Sequence, residues 1–219
     1  MNKTTLIAAA VVAVLAAAGA LYWTSTTSET ETVAEVETQD DVDLLEITEM
    51  TLGEEDAPVE VVEYASFTCS HCGNFHNDSF KQLKSEYIDT GKVHFTYREV
   101  YFDGAALWAS QLARCGGEER FFGLTDLIYS GQREWIGEGD PVQMADGLRK
   151  IGRIAGLDKE AIDACLEDEQ LAKSLAAWFQ QNREADAINS TPTFIVNDTR
   201  VEGNNPGRLR EVIEAELAE

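Results

Sequence analysis

Two cysteines separated by two residues lie directly after a run of β-branched residues, and this arrangement constrains the fold more than any other feature. The run from Val59 to Ala65 reads Val-Glu-Val-Val-Glu-Tyr-Ala and follows Pro58, which predicts a buried central strand. The pair, Cys69 and Cys72, comes next and is followed by apolar residues at helical spacing. We therefore expect a strand, a short loop and a helix that begins at the cysteines.

A second strand is predicted after this helix, which ends at Gly91. Val93, Phe95 and Tyr97 alternate with polar residues, which is typical of a half-buried strand. The connection between the two strands is long enough for a parallel, right-handed crossover. The cysteine pair therefore lies at the first strand–helix junction of a strand–helix–strand unit.

Residues 103 to 187 are expected to contain helices and no strand. Glycines separate the helical segments, and Asp158 stands where a helix cap is expected. The predicted helices are Ala105–Cys115, Phe121–Ser130, Pro141–Ala155, Lys159–Leu166 and Glu169–Ala187.

The sheet is predicted to resume after these helices. Thr193–Val196 and Thr199–Glu202 are interpreted as the two strands of a hairpin. A last helix begins at Pro206 with Asn205 as its cap. Before the β-branched run, Leu45 to Leu52 is expected to form a first strand at the edge of the sheet.

The first 23 residues predict export from the cytoplasm. The segment from Leu6 to Trp23 contains no charged residue and follows Lys3, which is typical of a signal peptide or of a membrane anchor. Residues 24–44 contain several acidic residues and no Lys or Arg, so we expect a disordered acidic linker. The rest of the chain is expected in the periplasm, either released or tethered to the inner membrane by an uncleaved helix.

The charge of the chain argues against one class of partner. The sequence has 40 acidic and 17 basic residues, a formal net charge of −23 at pH 7. Binding to nucleic acid requires clustered Lys and Arg that displace counterions from phosphates, and an acidic surface repels those phosphates. We therefore expect no nucleic-acid partner and attribute the charge to solubility.

The position of the cysteine pair at a helix N-terminus predicts a reactive thiol. Unpaired backbone N–H groups and the helix dipole favour a negative sulfur on Cys69, which we expect to be the exposed nucleophile. His71 can add a hydrogen bond or a positive charge to this thiolate and so stabilise the reduced form. Cys72, one turn further along, is expected to be more buried and to act as the resolving thiol that closes a disulfide with Cys69.

Thiolates at this spacing also bind zinc, so a zinc site is an alternative interpretation. Cys69 and Cys72 could bind the metal together with His76 or His94. A second pair of cysteines or histidines at the usual distance is missing from the sequence. We therefore expect no metal and no cofactor, and we expect the two histidines to lie at the surface or to be hydrogen-bonded in the core.

Two further features are consistent with redox chemistry. Glu63 lies six residues before Cys69 on the predicted central strand, where a buried carboxylate could move protons to or from Cys72. Simple alternation along the strand would instead place Glu63 in solvent. Thr191-Pro192 stands just before a predicted strand, where Pro192 is either a cis residue or an ordinary edge-strand proline. The residues alone leave both questions open.

The two other cysteines, Cys115 and Cys165, lie in predicted helices 50 positions apart. In an oxidising compartment such a pair is expected to form a structural disulfide, and two buried free thiols are the alternative. Neither cysteine has a neighbouring cysteine, histidine or lysine that would lower its pKa. We therefore expect no second redox centre.

The order of these features resembles the DsbA-like thiol:disulfide interchange proteins of the thioredoxin superfamily. The resemblance rests on a strand, the motif Phe-Thr-Cys-Ser-His-Cys, a helix, a strand, a helical segment and the motif Thr-Pro-Thr-Phe-Ile-Val-Asn, and it covers about residues 45–219. It implies an α/β fold in which residues 45–102 and 188–219 form a thioredoxin-like domain. Residues 103–187 would form an all-helical domain inserted into it.

The resemblance also implies roles for individual residues. Cys69 would exchange disulfides with substrate thiols, the loop of Thr191 and Pro192 would face that disulfide, and Glu63 would assist proton transfer. Ser70 replaces the proline that is most common between the two cysteines of the family, so the family's reduction potential is not carried over to this sequence. A short acidic segment before the domain, where isomerases of the superfamily usually carry a dimerisation domain, favours an oxidase.

The resulting hypothesis is a dithiol oxidase that introduces disulfides into unfolded or reduced exported proteins. A DsbB-like, quinone-linked thiol oxidoreductase of the membrane would reoxidise it. A periplasmic reductase or isomerase of the same fold is the alternative, and a metal-binding or chaperone-like module is a further one.

Overall fold

A five-stranded mixed sheet lies at the centre of the computed structural model, which describes residues 43–219. The strands are β1 Met50–Leu52, β2 Val59–Ala65, β3 Val93–Glu99, β4 Thr193–Val196 and β5 Thr199–Glu202. They lie in the order β1, β3, β2, β4, β5 across the sheet. The pair β2 and β3 is parallel, and the other three neighbouring pairs are antiparallel.

Helices connect the parallel strands and fill the whole segment between β3 and β4. The elements between β2 and β3 are α1 Ser70–Asp78, α2 Phe80–Leu83 and a π-helical turn Lys84–Ile88. The elements between β3 and β4 are α3 Gly104–Arg114, α4 Glu118–Ser130, α5 Gln132–Ile136, α6 Pro141–Ile154, α7 Lys159–Leu166 and α8 Glu169–Ala185, and α9 Pro206–Glu216 follows β5. The predicted α/β fold with a helical segment inserted between strands is therefore confirmed.

Strand β2 is buried on both faces, as its β-branched sequence predicts. Val59 and Val61 belong to the larger apolar core, whereas Val62 and Tyr64 belong to a smaller one. Because side chains alternate along a strand, Glu63 lies on the same face of β2 as Val61. The fold therefore places a carboxylate in its main core.

Aspartate side chains cap four helices of the inserted segment. In each case a carboxylate oxygen accepts a hydrogen bond from the backbone N–H three residues later, at 2.8 or 2.9 Å. The capping residues are Asp103, Asp140, Asp158 and Asp168. Asp158 was predicted from the sequence, and the predicted cap Asn205 also accepts such a bond, from the N–H of Arg208 at 3.1 Å. Part of the acidic composition therefore stabilises helix starts, by about 1 kcal/mol for each cap.

A disulfide between Cys115 and Cys165 joins the end of α3 to α7. The S–S distance is 2.06 Å, and the two Cα atoms are 5.8 Å apart. Cys69 and Cys72 are instead free thiols in this structure. The expected disulfide is therefore present, and the alternative of two buried free thiols is wrong.

The first strand is shorter than the sequence suggests. It covers Met50–Leu52 and not the whole segment from Leu45, whose side chain is exposed. The N–H of Leu45 donates to the Ser174 hydroxyl on α8 at 2.9 Å. Packing on a helix has therefore replaced pairing in the sheet at the start of this segment.

Two helical details also differ from the predictions. The single helix expected after the cysteines is interrupted at Ser79 and ends in a π-helical turn, closed by the bond from the N–H of Asp89 to the carbonyl of Lys84 at 2.8 Å. Helix α5 was not predicted, because five residues form little more than one turn and carry no periodic signal. The predicted helices leave residues 131–140 uncovered, and the structure places α5 there, between Gly131 and Gly137.

The predictions for the N-terminus fall almost entirely outside the described part of the chain. The signal peptide or anchor of residues 1–23 and nearly all of the acidic linker of residues 24–44 precede it. Within residues 43–219, no helix is both long and apolar enough to cross a lipid bilayer. Export and tethering therefore remain predictions.

Replacing Cys115 and Cys165 with serine should lower the free energy of unfolding by about 4 kcal/mol on the chain-entropy model, because a loop of this length is no longer closed in the unfolded state. Urea denaturation measures this change in a background where Cys69 and Cys72 are also serine, so that only one disulfide can form. Reductant should lower the urea midpoint of the protein that lacks only Cys69 and Cys72 to the midpoint of the variant that lacks all four cysteines. Equal midpoints without reductant would contradict the structural role.

Candidate active site

Cys69 occupies the position just before α1, where the first backbone N–H groups of a helix have no helical partner. Its backbone is extended, with φ −76° and ψ 119°, so the helix begins at the next residue. The N–H of Cys69 donates to the carbonyl of Ser66, and its own carbonyl accepts the N–H of Gly73, both at 3.0 Å. The predicted helix start at the cysteine pair is confirmed, and the Cys69 side chain is half-buried.

The environment at the start of α1 lowers the pKa of the Cys69 thiol to about 5. The largest cause is the hydrogen bond from the Cys72 thiol to the Cys69 sulfur, and the backbone N–H groups of His71 and Cys72 act in the same direction. Partial burial of the sulfur opposes them. Cys69 is therefore mainly a thiolate at neutral pH, which is the reactive form in disulfide exchange.

Cys72 has the opposite environment, because its side chain is completely buried in the larger apolar core. Burial is the largest cause that raises the pKa of its thiol far above the ordinary range. The hydrogen bond to Cys69 and the negative charges of Cys69 and Glu63 raise it further. The pair therefore consists of one accessible thiolate and one buried neutral thiol.

Ser70 and His71, between the two cysteines, are exposed on the first turn of α1. Within residues 43–219 the His71 ring has no hydrogen bond or ion pair, so the hydrogen bond that it could add to the thiolate is absent, and the effect of its positive charge stays a prediction. The backbone N–H of His71 acts on the Cys69 sulfur instead. Both side chains are therefore exposed beside the nucleophile.

The loop before β4 packs against Cys69. The peptide bond between Thr191 and Pro192 is cis, so the alternative of an ordinary edge-strand proline is wrong. The Cys69 sulfur lies 3.6 Å from the carbonyl oxygen of Thr191. Pro192 is buried, and its carbonyl accepts the N–H of Gly203 at 2.8 Å. The structure therefore brings together Cys69 and the proline loop, which are more than 100 residues apart in the chain.

Glu63 and His76 form a buried pair behind the cysteines. The Oε2 atom of Glu63 lies 3.0 Å from Nε2 of His76, and the two side chains are 0% and 3% exposed. The other carboxylate oxygen, Oε1, has no hydrogen-bond partner within residues 43–219. The alternative that Glu63 faces solvent is therefore wrong, and His76 is a hydrogen-bonded core residue.

Two tyrosines complete a buried polar cluster, which we define as Glu63, His76, Tyr97 and Tyr129. The His76 ring stacks on the Tyr129 ring with centroids 4.4 Å apart and planes at 15°. The hydroxyl groups of Tyr97 and Tyr129 are hydrogen-bonded at 2.7 Å. Burial is the main cause that raises the pKa of both tyrosines, and the negative charge of Glu63 raises the pKa of both tyrosines and of the Cys72 thiol further. The buried polar cluster therefore interacts electrostatically with Cys72.

Sequence reasoning missed the contacts of two residues at this site, His76 and Gln132. His76 comes four residues after Cys72, and this spacing places both on one face of α1, which could have indicated their proximity. Gln132 carries no such signal because it lies on the unpredicted helix α5. Its amide donates hydrogen bonds to the carbonyls of Phe67 and Cys69 at 2.8 and 2.9 Å.

A groove of about 470 Å³ lies beside the residue that precedes the nucleophile. Thr68 lines it together with apolar side chains of the inserted helices, among them Trp108 and Met144. The Thr68 hydroxyl donates to the carboxylate of Asp103, the cap of α3, at 2.8 Å. Apolar surface of the inserted helices therefore lies beside Thr68, the residue before Cys69.

The alternative of a zinc site requires a cluster of metal-binding side chains, and the described part of the chain contains none. Within residues 43–219 no three His, Cys, Asp or Glu side chains are grouped so that they could bind one metal ion. His76 hydrogen-bonds to Glu63, and His94 is a half-buried residue of β3. Neither histidine therefore joins the cysteine pair in a metal site.

The fold and the site have counterparts in known proteins. A family model described as thioredoxin matches residues 45–215, which is well over half of the 219 residues. The chain therefore belongs to the thioredoxin family.

Two curated relatives carry names that refer to disulfide chemistry. A putative protein-disulfide oxidoreductase of Rickettsia bellii is 33% identical over 172 residues, which cover 78% of this chain and 65% of the relative. Disulfide bond formation protein D of Bacillus subtilis is 29% identical over 178 residues, 76% of each protein. The match thus spans slightly less than two thirds of the Rickettsia protein.

Among solved structures, alpha-DsbA1 of Wolbachia pipientis has the same fold. The two structures superpose with a TM-score of 0.71 and 24% sequence identity, over 83% of this chain and 96% of the other. The expected thioredoxin-like fold of the DsbA type is confirmed.

Alkylation of the reduced protein should report the charge on Cys69. The rate of modification by iodoacetamide should rise with pH around a midpoint near 5, while Cys72 stays unmodified because it is buried and neutral. Cys72→Ala removes the donated hydrogen bond and should raise the midpoint, whereas Cys72→Ser retains a donor and should raise it less. Mass spectrometry of the modified protein measures the alkylation of Cys69 and of Cys72 at each pH. A midpoint above 8 in the unsubstituted protein would contradict this description of the site.

Proposed function

We propose that this protein is an exported thiol–disulfide oxidoreductase in which Cys69 and Cys72 are the exchanging pair. One observation carries the proposal: an accessible thiolate at Cys69 is hydrogen-bonded by a buried, neutral thiol at Cys72. Disulfide exchange needs one sulfur that a substrate can reach and a second that resolves the mixed disulfide from within the protein. The two environments match these two roles.

In the oxidising direction a substrate thiolate attacks the Cys69 sulfur of the Cys69–Cys72 disulfide, because Cys72 is inaccessible. The bond between the two sulfurs breaks, Cys72 keeps the electron pair, and Cys69 forms a mixed disulfide with the substrate. A second substrate thiolate then attacks the substrate sulfur of this mixed disulfide, and Cys69 leaves as a thiolate. Two substrate thiols become one disulfide, one proton goes to Cys72 and one goes to solvent.

The buried polar cluster is suited to supply the proton for Cys72. A thiolate on Cys72 is unfavourable because burial raises its pKa, so the sulfur must take a proton as the disulfide opens. Glu63 is the carboxylate whose charge acts on Cys72, and one of its oxygens has no hydrogen-bond partner within residues 43–219. Glu63, paired with His76, is therefore the proposed carrier: its oxygen without a hydrogen bond takes up the proton that the first substrate thiol releases and passes it to Cys72.

The low pKa of Cys69 supports an oxidising direction. A thiol with pKa of about 5 is ionised at pH 7 far more than one with a pKa of about 7, and this stabilises the reduced protein by a factor of about 50. Such a factor corresponds to a reduction potential about 50 mV more positive. The protein should therefore oxidise dithiols that thioredoxin would leave reduced.

The proposed substrates are unfolded or reduced exported proteins. The groove beside Thr68 offers them apolar surface next to Cys69, and the N-terminal sequence predicts delivery to the periplasm. The name of the Bacillus subtilis relative refers to disulfide bond formation, which favours the oxidising direction. A DsbB-like, quinone-linked thiol oxidoreductase of the membrane is the proposed partner that restores the Cys69–Cys72 disulfide.

The oxidised protein should transfer one disulfide per molecule to a reduced, unfolded test protein. Cys69→Ser should abolish the transfer, because the reachable sulfur is lost, whereas replacement of Cys115 and Cys165 by serine should leave it intact. Thiol titration of the test protein measures the outcome. Transfer by the Cys69→Ser variant would refute the proposed chemistry.

Equilibration of the protein with glutathione measures the reduction potential of the Cys69–Cys72 pair, and this potential decides between an oxidase and a reductase. We expect a reduction potential at least about 50 mV above the value of about −270 mV for thioredoxin. A potential near that of thioredoxin would overturn the oxidase and leave a reductase with the same residues.

Glu63→Gln should slow disulfide transfer to a small dithiol by about tenfold or more, because Cys72 loses its proton source. Glu60→Gln is the matched control, since Glu60 lies on the same strand, carries the same charge and is exposed. Stopped-flow kinetics with both variants separate an effect on proton transfer from a general effect of charge. The rate of Cys69 alkylation in each variant checks that the reactivity of this thiol is unchanged. Equal rates for the two variants would remove Glu63 from the mechanism.

A further inference from the structure

The side chain of Gln132 at the start of α5 binds the backbone of the loop that presents Cys69. Its amide nitrogen donates to the carbonyl of Phe67 at 2.8 Å and to the carbonyl of Cys69 at 2.9 Å. The side chain is only 8% exposed, so water does not readily replace these bonds. A residue of the inserted helices therefore binds the backbone on both sides of Thr68.

One of these contacts fixes the residue whose sulfur reacts. The Cys69 carbonyl accepts both the Gln132 amide and the N–H of Gly73, which is the first hydrogen bond of α1. The direction of this carbonyl is set by the backbone dihedral ψ of Cys69, which is 119°. A change in that dihedral would move the carbonyl and the start of α1 relative to the Cys69 side chain, so the backbone N–H groups of His71 and Cys72 would no longer point at the sulfur.

The residue after the second cysteine makes room for this amide. A Cβ atom placed on Gly73 would lie 2.5 Å from Oε1 of Gln132, closer than real Cβ contacts come. Glycine inside a helix is less stable than alanine by about 1 kcal/mol. The close approach of Gln132 gives a physical reason for a glycine at this costly position.

We propose that Gln132 is a positioning residue for the redox reaction, which holds the Cys69 carbonyl and thereby keeps the Cys69 sulfur against the N–H groups at the start of α1. The inference rests on the proposed function of the cysteine pair. Gln132 touches neither sulfur and acts through the backbone alone. The inserted helical segment thus sets the reactivity of the dithiol.

The test replaces Gln132 with methionine, which keeps the length of the side chain and removes both donors. The midpoint of Cys69 alkylation should rise by about one pH unit, because the N–H groups of His71 and Cys72, once misdirected, would stabilise the thiolate about tenfold less. The equilibrium constant for reduction by glutathione at neutral pH should fall about tenfold, which is about 30 mV. Gln143→Met, an exposed glutamine of α6, is the matched control and should change neither value.

A second pair of variants tests the same contact from the other side. Gly73→Ala should displace the Gln132 amide and raise the alkylation midpoint in the same direction. In a Gln132→Ala background the Gly73→Ala substitution should have no such effect, because nothing remains to be displaced. An effect of Gly73→Ala that is equal in both backgrounds would overturn the proposal.

The outcomes distinguish this inference from the proposed function. A midpoint near 5 in the unsubstituted protein with an unchanged midpoint in Gln132→Met would refute the positioning role and leave the redox proposal intact. An unsubstituted protein whose Cys69 resists alkylation near neutral pH would refute the redox proposal itself. If both Gln132→Met and Gln132→Ala failed to fold, by circular dichroism and urea midpoint, the role of Gln132 would be structural and the proposal overturned.

Discussion

The hydrogen bonds that converge on the Cys69 sulfur are the interaction on which the rest of the site depends. They exist because α1 begins at the next residue, so the first N–H groups of the helix have no helical partner and point at the sulfur. Strand β2 fixes the place of this helix start, since it is buried on both faces and paired on both sides. The reactivity of the thiol therefore follows from where a strand ends and a helix begins.

Burial raises the pKa of the Cys72 thiol, whereas the start of α1 lowers the pKa of the Cys69 thiol. The two thiols of the pair therefore differ in charge and in accessibility. Cys72 lies one turn further along α1, in the apolar core, and remains neutral while it donates its proton to the Cys69 sulfur in a hydrogen bond. A proton route is then needed, because water does not reach this sulfur. The pairing of Glu63 with His76 makes a buried carboxylate tolerable and leaves one of its oxygens without a hydrogen bond from residues 43–219.

The elements that position the nucleophile were predictable because their signals are local. The β-branched run, the cysteine spacing and the caps Asp158 and Asn205 all depend on residues a few positions apart, and the structure has them. The orientation of Glu63 could not be decided, because a central strand has two buried faces and alternation loses its meaning there. The contacts of Gln132 could not be predicted for another reason. They join residues that are 63 and 65 positions apart in the chain, and Gln132 lies on a helix of about one turn.

Contacts of the inserted helices reach the loop before Cys69 and the end of the neighbouring strand β3. Asp103 binds Thr68, and Arg114 forms a buried ion pair with Glu99 at the end of β3, with an N–O distance of 2.6 Å. Loss of one partner from such a pair costs about 3–5 kcal/mol, because the other charge is then buried without a partner, so a substitution at Arg114 should disturb the end of β3. The disulfide of Cys115 then ties α3 to α7. Substitutions within these helices can therefore alter the environment of the nucleophile while both reactive sulfurs remain unchanged.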